Sequence, residues 1–108
     1  MYIPKNVKEI KVENSTVPFY VEKNNYYFDT SLTAVPEPMI NALAGLKLLD
    51  ENKKLIMINH KIPMGLFPKI ENNFYYEVEE LDDGNVKIIF TKKEGFVSKL
   101  DFDTNCKG

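Results

Sequence analysis

The sequence predicts an α+β fold, a two-layer α/β sandwich in which two helices cover one face of a four-stranded mixed sheet. Three observations predict it. An apolar-striped helix follows a segment that ends near Asp29, a continuous apolar run from Leu55 to Ile58 is typical of a central strand, and two alternating segments flank Asp82-Asp83-Gly84. The predicted order is strand, helix, strand, short helix, strand, strand, with a β-hairpin extension in front.

Composition limits the classes of protein that the chain can represent. Its 108 residues suffice for one domain with a single core, and a formal net charge of −2 does not indicate a nucleic-acid partner. The one cysteine, Cys106, excludes an internal disulfide and fits a reducing compartment. No apolar run reaches the ~20 residues that span a bilayer, and the first residues lack the order of a signal peptide. We therefore expect a soluble, cytoplasmic protein without cofactor, membrane or nucleic-acid partner.

Residues 1–25 are predicted to form the N-terminal hairpin. Its first arm alternates through Ile10 and Val12, its second arm covers 17–21, and the Asn14-Ser15-Thr16 stretch between them supplies turn chemistry. Pro18 cannot donate a hydrogen bond to a neighbouring strand, so we expect the second arm at the edge of the sheet.

The first helix is predicted from Met39 to about Leu49, after the Val35-Pro36-Glu37-Pro38 corner. Pro36 fits the first helical position, and Glu37 places a negative charge where the helix dipole favours one. Beside the core stripe lies a second apolar flank, which consists of Ile40, Ala44 and Leu48. One sheet face alone does not bury that flank, so we expect the second helix, the hairpin or another subunit to cover it.

The short second helix is predicted to begin at Pro63, after the Asn59-His60-Lys61 corner, and to run through Leu66, Phe67 and Ile70. Pro68 is expected to shorten or kink it. In the last hairpin, a three-residue loop with Gly84 in the left-handed conformation keeps one apolar face intact. That register sets Val78 opposite Ile88, Tyr76 opposite Phe90, and Glu79 opposite Lys87.

The chain therefore divides into three parts. Residues 1–25 form the extension, 26–92 form the α/β domain, and 93–108 form a C-terminal arm or tail with apolar residues at Phe96, Val97, Leu100 and Phe102.

In its order of elements, and in the strand that leads into a Pro-x-Pro helix start, the chain resembles the TusA/SirA-like sulfur-carrier superfamily. It is most similar to domain-of-unknown-function family 2249. The sulfur carriers open with Leu-Asp-x-Arg-Gly-Leu-x-Cys-Pro-x-Pro, and the segment 28–38 has the same length. Asp29, Pro36 and Pro38 match, whereas Ser31 and Leu32 stand in place of the arginine and the glycine, and Val35 in place of the cysteine. Family 2249 is similar in replacing that cysteine, in its Pro-Glu-Pro, and in a histidine (here His60) before a Pro-x-x-Leu segment. The resemblance covers residues 26–92 and implies a fold; the family has no established activity.

Two chemical alternatives remain beside a binding role. Val35 has no thiolate, so a sulfur carrier would have to use Cys106, in the tail. Alternatively, His60 binds a metal or small ligand in a redox-associated protein, with Met57 and Met64 as soft ligands for a copper(I)-type ion.

We expect a non-catalytic binding or adaptor domain rather than an enzyme. Its predicted binding surface combines Pro36, Glu37 and Pro38 with Asn59, His60 and Lys61, and its possible interface is Ile40, Ala44 and Leu48. The partner would be an unidentified protein or a second copy of the chain, and no residue is assigned to catalysis or to a metal.

Overall fold

A computed structural model describes residues 3–93 of the chain. Six strands and two helices follow one another in this part, and we number them in chain order. The strands are β1 (Lys8–Ile10), β2 (Phe19–Glu22), β3 (Asn25–Asp29), β4 (Lys54–Asn59), β5 (Phe74–Glu80) and β6 (Val86–Lys92); the helices are α1 (Glu37–Leu46) and α2 (Phe67–Ile70). The α+β class predicted from the sequence is confirmed. The predicted tail, with Cys106, lies outside the described residues.

All six strands belong to one mixed sheet in the order β1-β2-β3-β4-β6-β5. Strands β3 and β4 are parallel and are connected through α1, whereas the other neighbouring strands are antiparallel. The prediction of a four-stranded sheet was therefore wrong. The N-terminal hairpin is present, but its second strand also pairs with β3 and adds two strands to the sheet. The second arm was expected at the edge of the sheet, but Pro18 lies just before β2 and does not interrupt it. Strand β2 pairs with both β1 and β3, and β1 is the outer strand at this side.

Both helices contribute to the core on one face of the sheet. Ala42 and Leu46 of α1 and Phe67 of α2 share a buried cluster with strand residues such as Leu55 and Phe90. These side chains are apolar and spaced so that each element presents one stripe to its neighbour, which is the condition for a two-layer core.

The opposite face of the sheet is partly covered by the segment that precedes β1. Ile3 and the half-buried Val7 pack against Tyr27, Ile56 and Ile58, which form a second buried cluster. The centre of this face is covered because β4 is apolar on both faces and needs cover on both.

The register of the β5–β6 hairpin is as predicted. Val78 pairs with Ile88, Tyr76 with Phe90, and Glu79 with Lys87. Gly84 has φ = +89°, the left-handed conformation that the three-residue loop requires.

Helix α1 begins two residues earlier and ends three residues earlier than predicted. Pro36 is the N-cap residue rather than the first helical residue, and Pro38 is in the first turn, where its missing N–H leaves no hydrogen bond unmade. Gly45 lets the helix approach the sheet closely: a Cβ there would lie 2.8 Å from Cε2 of Phe19. The helix thus sits directly on β2 and β4.

Candidate functional site

A cleft of about 490 Å³ opens between the Val35–Met39 corner and the loop that follows β4. It lies where the two parallel strands, β3 and β4, end. In open α/β sheets, ligands bind in the crevice outside the carboxyl ends of parallel strands. The lining residues are Val35, Pro36, Pro38, Met39, Asn59, His60, Lys61, Ile62, Pro63, Met64 and Gly65.

The structure brings together five of the six residues predicted as a binding surface. Pro36 and Pro38 form one wall, and Asn59, His60 and Lys61 begin the other. These two corners are distant in sequence, and they meet because β3 and β4 are parallel neighbours whose ends lie at the same edge of the sheet.

Glu37 is the member of the predicted surface that does not line the cleft. Its Oε1 accepts a hydrogen bond from the hydroxyl of Thr16 at 2.9 Å, so its side chain lies toward the hairpin loop. As a result, none of residues 3–93 that line the cleft is acidic.

Sequence analysis missed the apolar remainder of the lining, which includes Val35, Met39 and Met64. Val35 was considered only as a lost cysteine, and Met64 only as a possible ligand. One signal could have identified them: an apolar residue in a loop that follows a strand lies outside the core and tends to expose its side chain. In the structure, Val35 is 74% and Met64 69% exposed.

A buried pair of polar residues holds the floor of the cleft. The Thr30 hydroxyl donates to Oδ1 of Asn59 at 2.9 Å, and Nδ2 of Asn59 donates to the carbonyl oxygen of Lys61 at 2.8 Å. Both Thr30 and Asn59 are buried, so the bond between them is shielded from competing water, and the bond to Lys61 is part-buried. Asn59 therefore fixes the path of the loop that presents His60 and Lys61 rather than contacting a ligand freely.

The start of α1 is poorly suited to bind an anion through its backbone. Pro36 and Pro38 have no N–H, and the N–H of Glu37 donates to the carbonyl oxygen of Ala34 at 3.0 Å. The positively charged group available in the cleft is instead the side chain of Lys61, which is exposed.

The residues proposed for copper do not come together. Met57 is fully buried in the core, while His60 and Met64 are exposed at the cleft. Met57 is a core residue on the helix side of the sheet, as its place in an Ile-Met-Ile strand indicates, so it does not join His60 and Met64 at the cleft. Among residues 3–93, no group of three or more histidine, cysteine or acidic side chains is arranged to hold a metal ion.

The apolar flank of α1 is covered mainly by the chain itself. Ala44 is only 4% exposed and Leu48 packs against the core, whereas Ile40 remains 38% exposed. The interface predicted from these three residues is thus largely unavailable to a partner.

The β1–β2 loop lies against α1 beside this flank, and Asn41 attaches it to the helix. Oδ1 of this fully buried side chain accepts from the N–H of Thr16 at 2.7 Å and of Val17 at 3.3 Å. Its Nδ2 donates to Oγ1 of Thr16 at 2.8 Å and to the carbonyl oxygen of Glu37 at 2.9 Å. A polar residue beside the flank therefore joins the hairpin to α1.

Comparisons of the chain with models of protein families, with curated proteins and with solved structures gave no significant match. Within residues 3–93, neither helix has the length and apolar character needed to cross a membrane.

Proposed function

We propose that the chain is a non-catalytic binding domain whose cleft takes a small ligand with an apolar body and an acidic group. The observation that carries the proposal is the cleft itself, at the carboxyl ends of β3 and β4. Its volume of about 490 Å³ lies within the range of about 300–1,000 Å³ found for small-molecule sites.

The apolar part of the ligand follows from the lining. Val35 and Met64 expose apolar surface that the described residues leave uncovered, and Pro36, Met39 and Ile62 continue it into the cleft. Burying that surface against a ligand contributes about 25 cal/mol per Å². An apolar body therefore gains most at this site.

The acidic group follows from the charges. Lys61 lines the cleft, and within the described part of the chain no acidic residue does, since Glu37 is hydrogen-bonded to Thr16 instead. A carboxylate beside Lys61 gains a charge-assisted contact, and His60 offers a second polar contact. The loop needs no ordering at this point, because Asn59 already holds the carbonyl of Lys61.

We also propose that the scaffold is related to the TusA/SirA-like superfamily. Two observations support this relation: the order of elements from β3 to β6, and the corner at which β3 leads into a Pro-Glu-Pro helix start. Val35, which corresponds to the family's cysteine, lines the cleft. On this proposal, the position that handles sulfur in the carriers is a binding wall in this chain, with no thiolate to react.

The test is an NMR titration of the ¹⁵N-labelled chain with decanoate and, separately, with decanol. These probes share the apolar chain and differ in the acidic group. We expect saturable shifts confined to residues 35–39 and 59–65, with tighter binding of decanoate. Lys61→Ala is expected to remove the preference for decanoate, whereas Lys8→Ala, at an exposed lysine of β1, is the matched control and keeps it.

A steric variant tests the site itself. A Cβ at Gly65 would lie 3.5 Å from Cε of Met39, an ordinary contact, so Gly65→Ala is tolerated while Gly65→Phe fills the cleft. Binding by Gly65→Ala and loss of binding by folded Gly65→Phe support the proposal. Shifts spread over the surface, equal binding by both variants, or no binding of either probe would refute it.

A further inference from the structure

A second apolar groove lies on the helix side of the molecule, and it shares no lining residue with the cleft. It has a volume of about 490 Å³ and is formed by the end of α1, by α2 and by the first residue of β5. We call it the lysine-rimmed groove; its residues are Leu43, Leu46, Lys47, Leu49, Lys69, Ile70, Asn73, Phe74 and Lys92. Leu43 is 37% exposed, so apolar surface here is left uncovered by the described residues.

The described part of the chain ends beside this groove. Lys92 is one of its lining residues. The N–H of Lys93 donates to the carbonyl oxygen of Asn73 at 2.9 Å, and its Nζ donates to the carbonyl oxygen of Glu71 at 2.6 Å. These bonds fix the point at which residues 94–108 continue. Phe96 is four residues beyond Lys92, within a reach of roughly 13 Å for extended chain.

The charges of the groove and of the following segment are opposite. Lys47, Lys69 and Lys92 stand around the groove, and none of the lining residues is acidic. Residues 94–103 carry three acidic side chains and one lysine, a net charge of −2, interspersed with four apolar residues: Phe96, Val97, Leu100 and Phe102. Asp50 interacts electrostatically with Lys92. Its carboxylate forms a salt bridge with Lys53 at 2.9 Å.

We propose that residues 94–103 of the same chain occupy the lysine-rimmed groove, with Phe96 and Leu100 as apolar anchors and the acidic residues beside the lysines. Connection to β6 favours this occupant over a second copy, because a short tether gives an effective concentration of the order of millimolar. The proposal concerns a surface separate from the cleft and does not depend on the cleft binding a ligand.

Cys106, the single cysteine, allows a direct test in the full chain. A nitroxide spin label on its thiol is expected to broaden the amide signals of Leu43, Lys47 and Ile70 more strongly than those of Lys8 and Glu22, which belong to β1 and β2. The double variant Phe96→Ser/Leu100→Ser is expected to lose this selective broadening and to shift the groove amides, because the groove is emptied. Ser98→Ala is the matched control. It is expected to keep the selective broadening and to leave the groove amides unshifted.

Two outcomes would overturn the proposal. The first is broadening that is uniform or directed to other residues, with groove amides unchanged in the double variant. The second is groove broadening when spin-labelled, unenriched chain is mixed with unlabelled ¹⁵N-enriched chain, since a second copy would then be the occupant. Both variants change residues outside the described core, so their spectra are expected to keep the dispersion of the folded protein.

Discussion

Replacement of Asn41 by alanine is predicted to detach the β1–β2 loop from α1 and to destabilise the whole domain. The asparagine is fully buried and makes hydrogen bonds with both oxygen and nitrogen of its amide. Alanine removes all of them and leaves the N–H groups of Thr16 and Val17 without these partners.

The magnitude follows from the bonds. The three shorter ones, at 2.7, 2.8 and 2.9 Å, contribute about 1 kcal/mol each, and the one at 3.3 Å to Val17 adds little. Alanine returns about 0.6 kcal/mol through its higher helix propensity. Because Thr16 is exposed, water can replace part of the loss. The net loss of free energy of unfolding is expected to be about 2 kcal/mol, which lowers Tm by ~10 °C in a domain of this size.

Urea denaturation followed by circular dichroism measures the effect as a lower midpoint at unchanged slope. Asn72→Ala, at an exposed asparagine between α2 and β5, is the matched control and is expected to change the free energy by less than about 0.5 kcal/mol. If Asn41→Ala is no less stable than this control, then the amide does not hold the hairpin loop on the helix.

Three further predictions concern packing, conformation and pH. Gly45→Ala is expected to cost about 1–2 kcal/mol in chemical denaturation, because the new methyl group would lie 2.8 Å from Phe19 and overpacking outweighs the gain in helix propensity; added stability would contradict the close approach. Gly84→Ala is expected to cost about 1 kcal/mol because φ is +89°, whereas Gly65→Ala is expected to cost less. Hydrogen bonds from the Asn52 N–H and from Lys53 lower the pKa of Asp50 in the folded state. As pH falls, the Asp50 carboxylate is therefore protonated in the unfolded state before it is protonated in the folded state. Asp50 thus stabilises the fold above about pH 4. The stability difference between wild type and Asp50→Asn, measured by urea denaturation from pH 7 to pH 2.5, should therefore shrink as pH falls below 3.8, and a pH-independent difference would contradict this.

The parts of the fold that depend on local pattern were predictable. The register of β5 and β6 follows from alternation together with Gly84, since only one loop length keeps the apolar face intact. The size of the sheet was not predictable in the same way. Strand β2 pairs with β3 across the two-residue turn Lys23-Asn24, in which Lys23 has φ = +56°. A lysine does not signal the left-handed conformation that such a turn uses. Pro18 was misleading because it precedes β2 rather than interrupting it.

The candidate site was predictable as two corners but not as a cleft. Proline and histidine draw notice by their chemistry, and parallel strands place Pro36 and His60 at one edge of the sheet. The direction of Glu37 was not predictable, because it is decided by the hydroxyl of Thr16, a residue of a separate loop. Likewise, the sequence gives no indication that Asn41 binds that loop, since a lone asparagine on a helix is usually solvated.

The position of the parallel pair has a consequence for local opening. Strands β3 and β4 each have neighbours on both sides, whereas β1 and β5 are the outer strands of the sheet that residues 3–93 form. Terminal strands open first in native-state amide exchange, while doubly paired strands exchange mainly by global unfolding. Because the cleft is built where β3 and β4 end, transient opening of either outer strand leaves both of its walls attached to the slowest-exchanging part of the molecule.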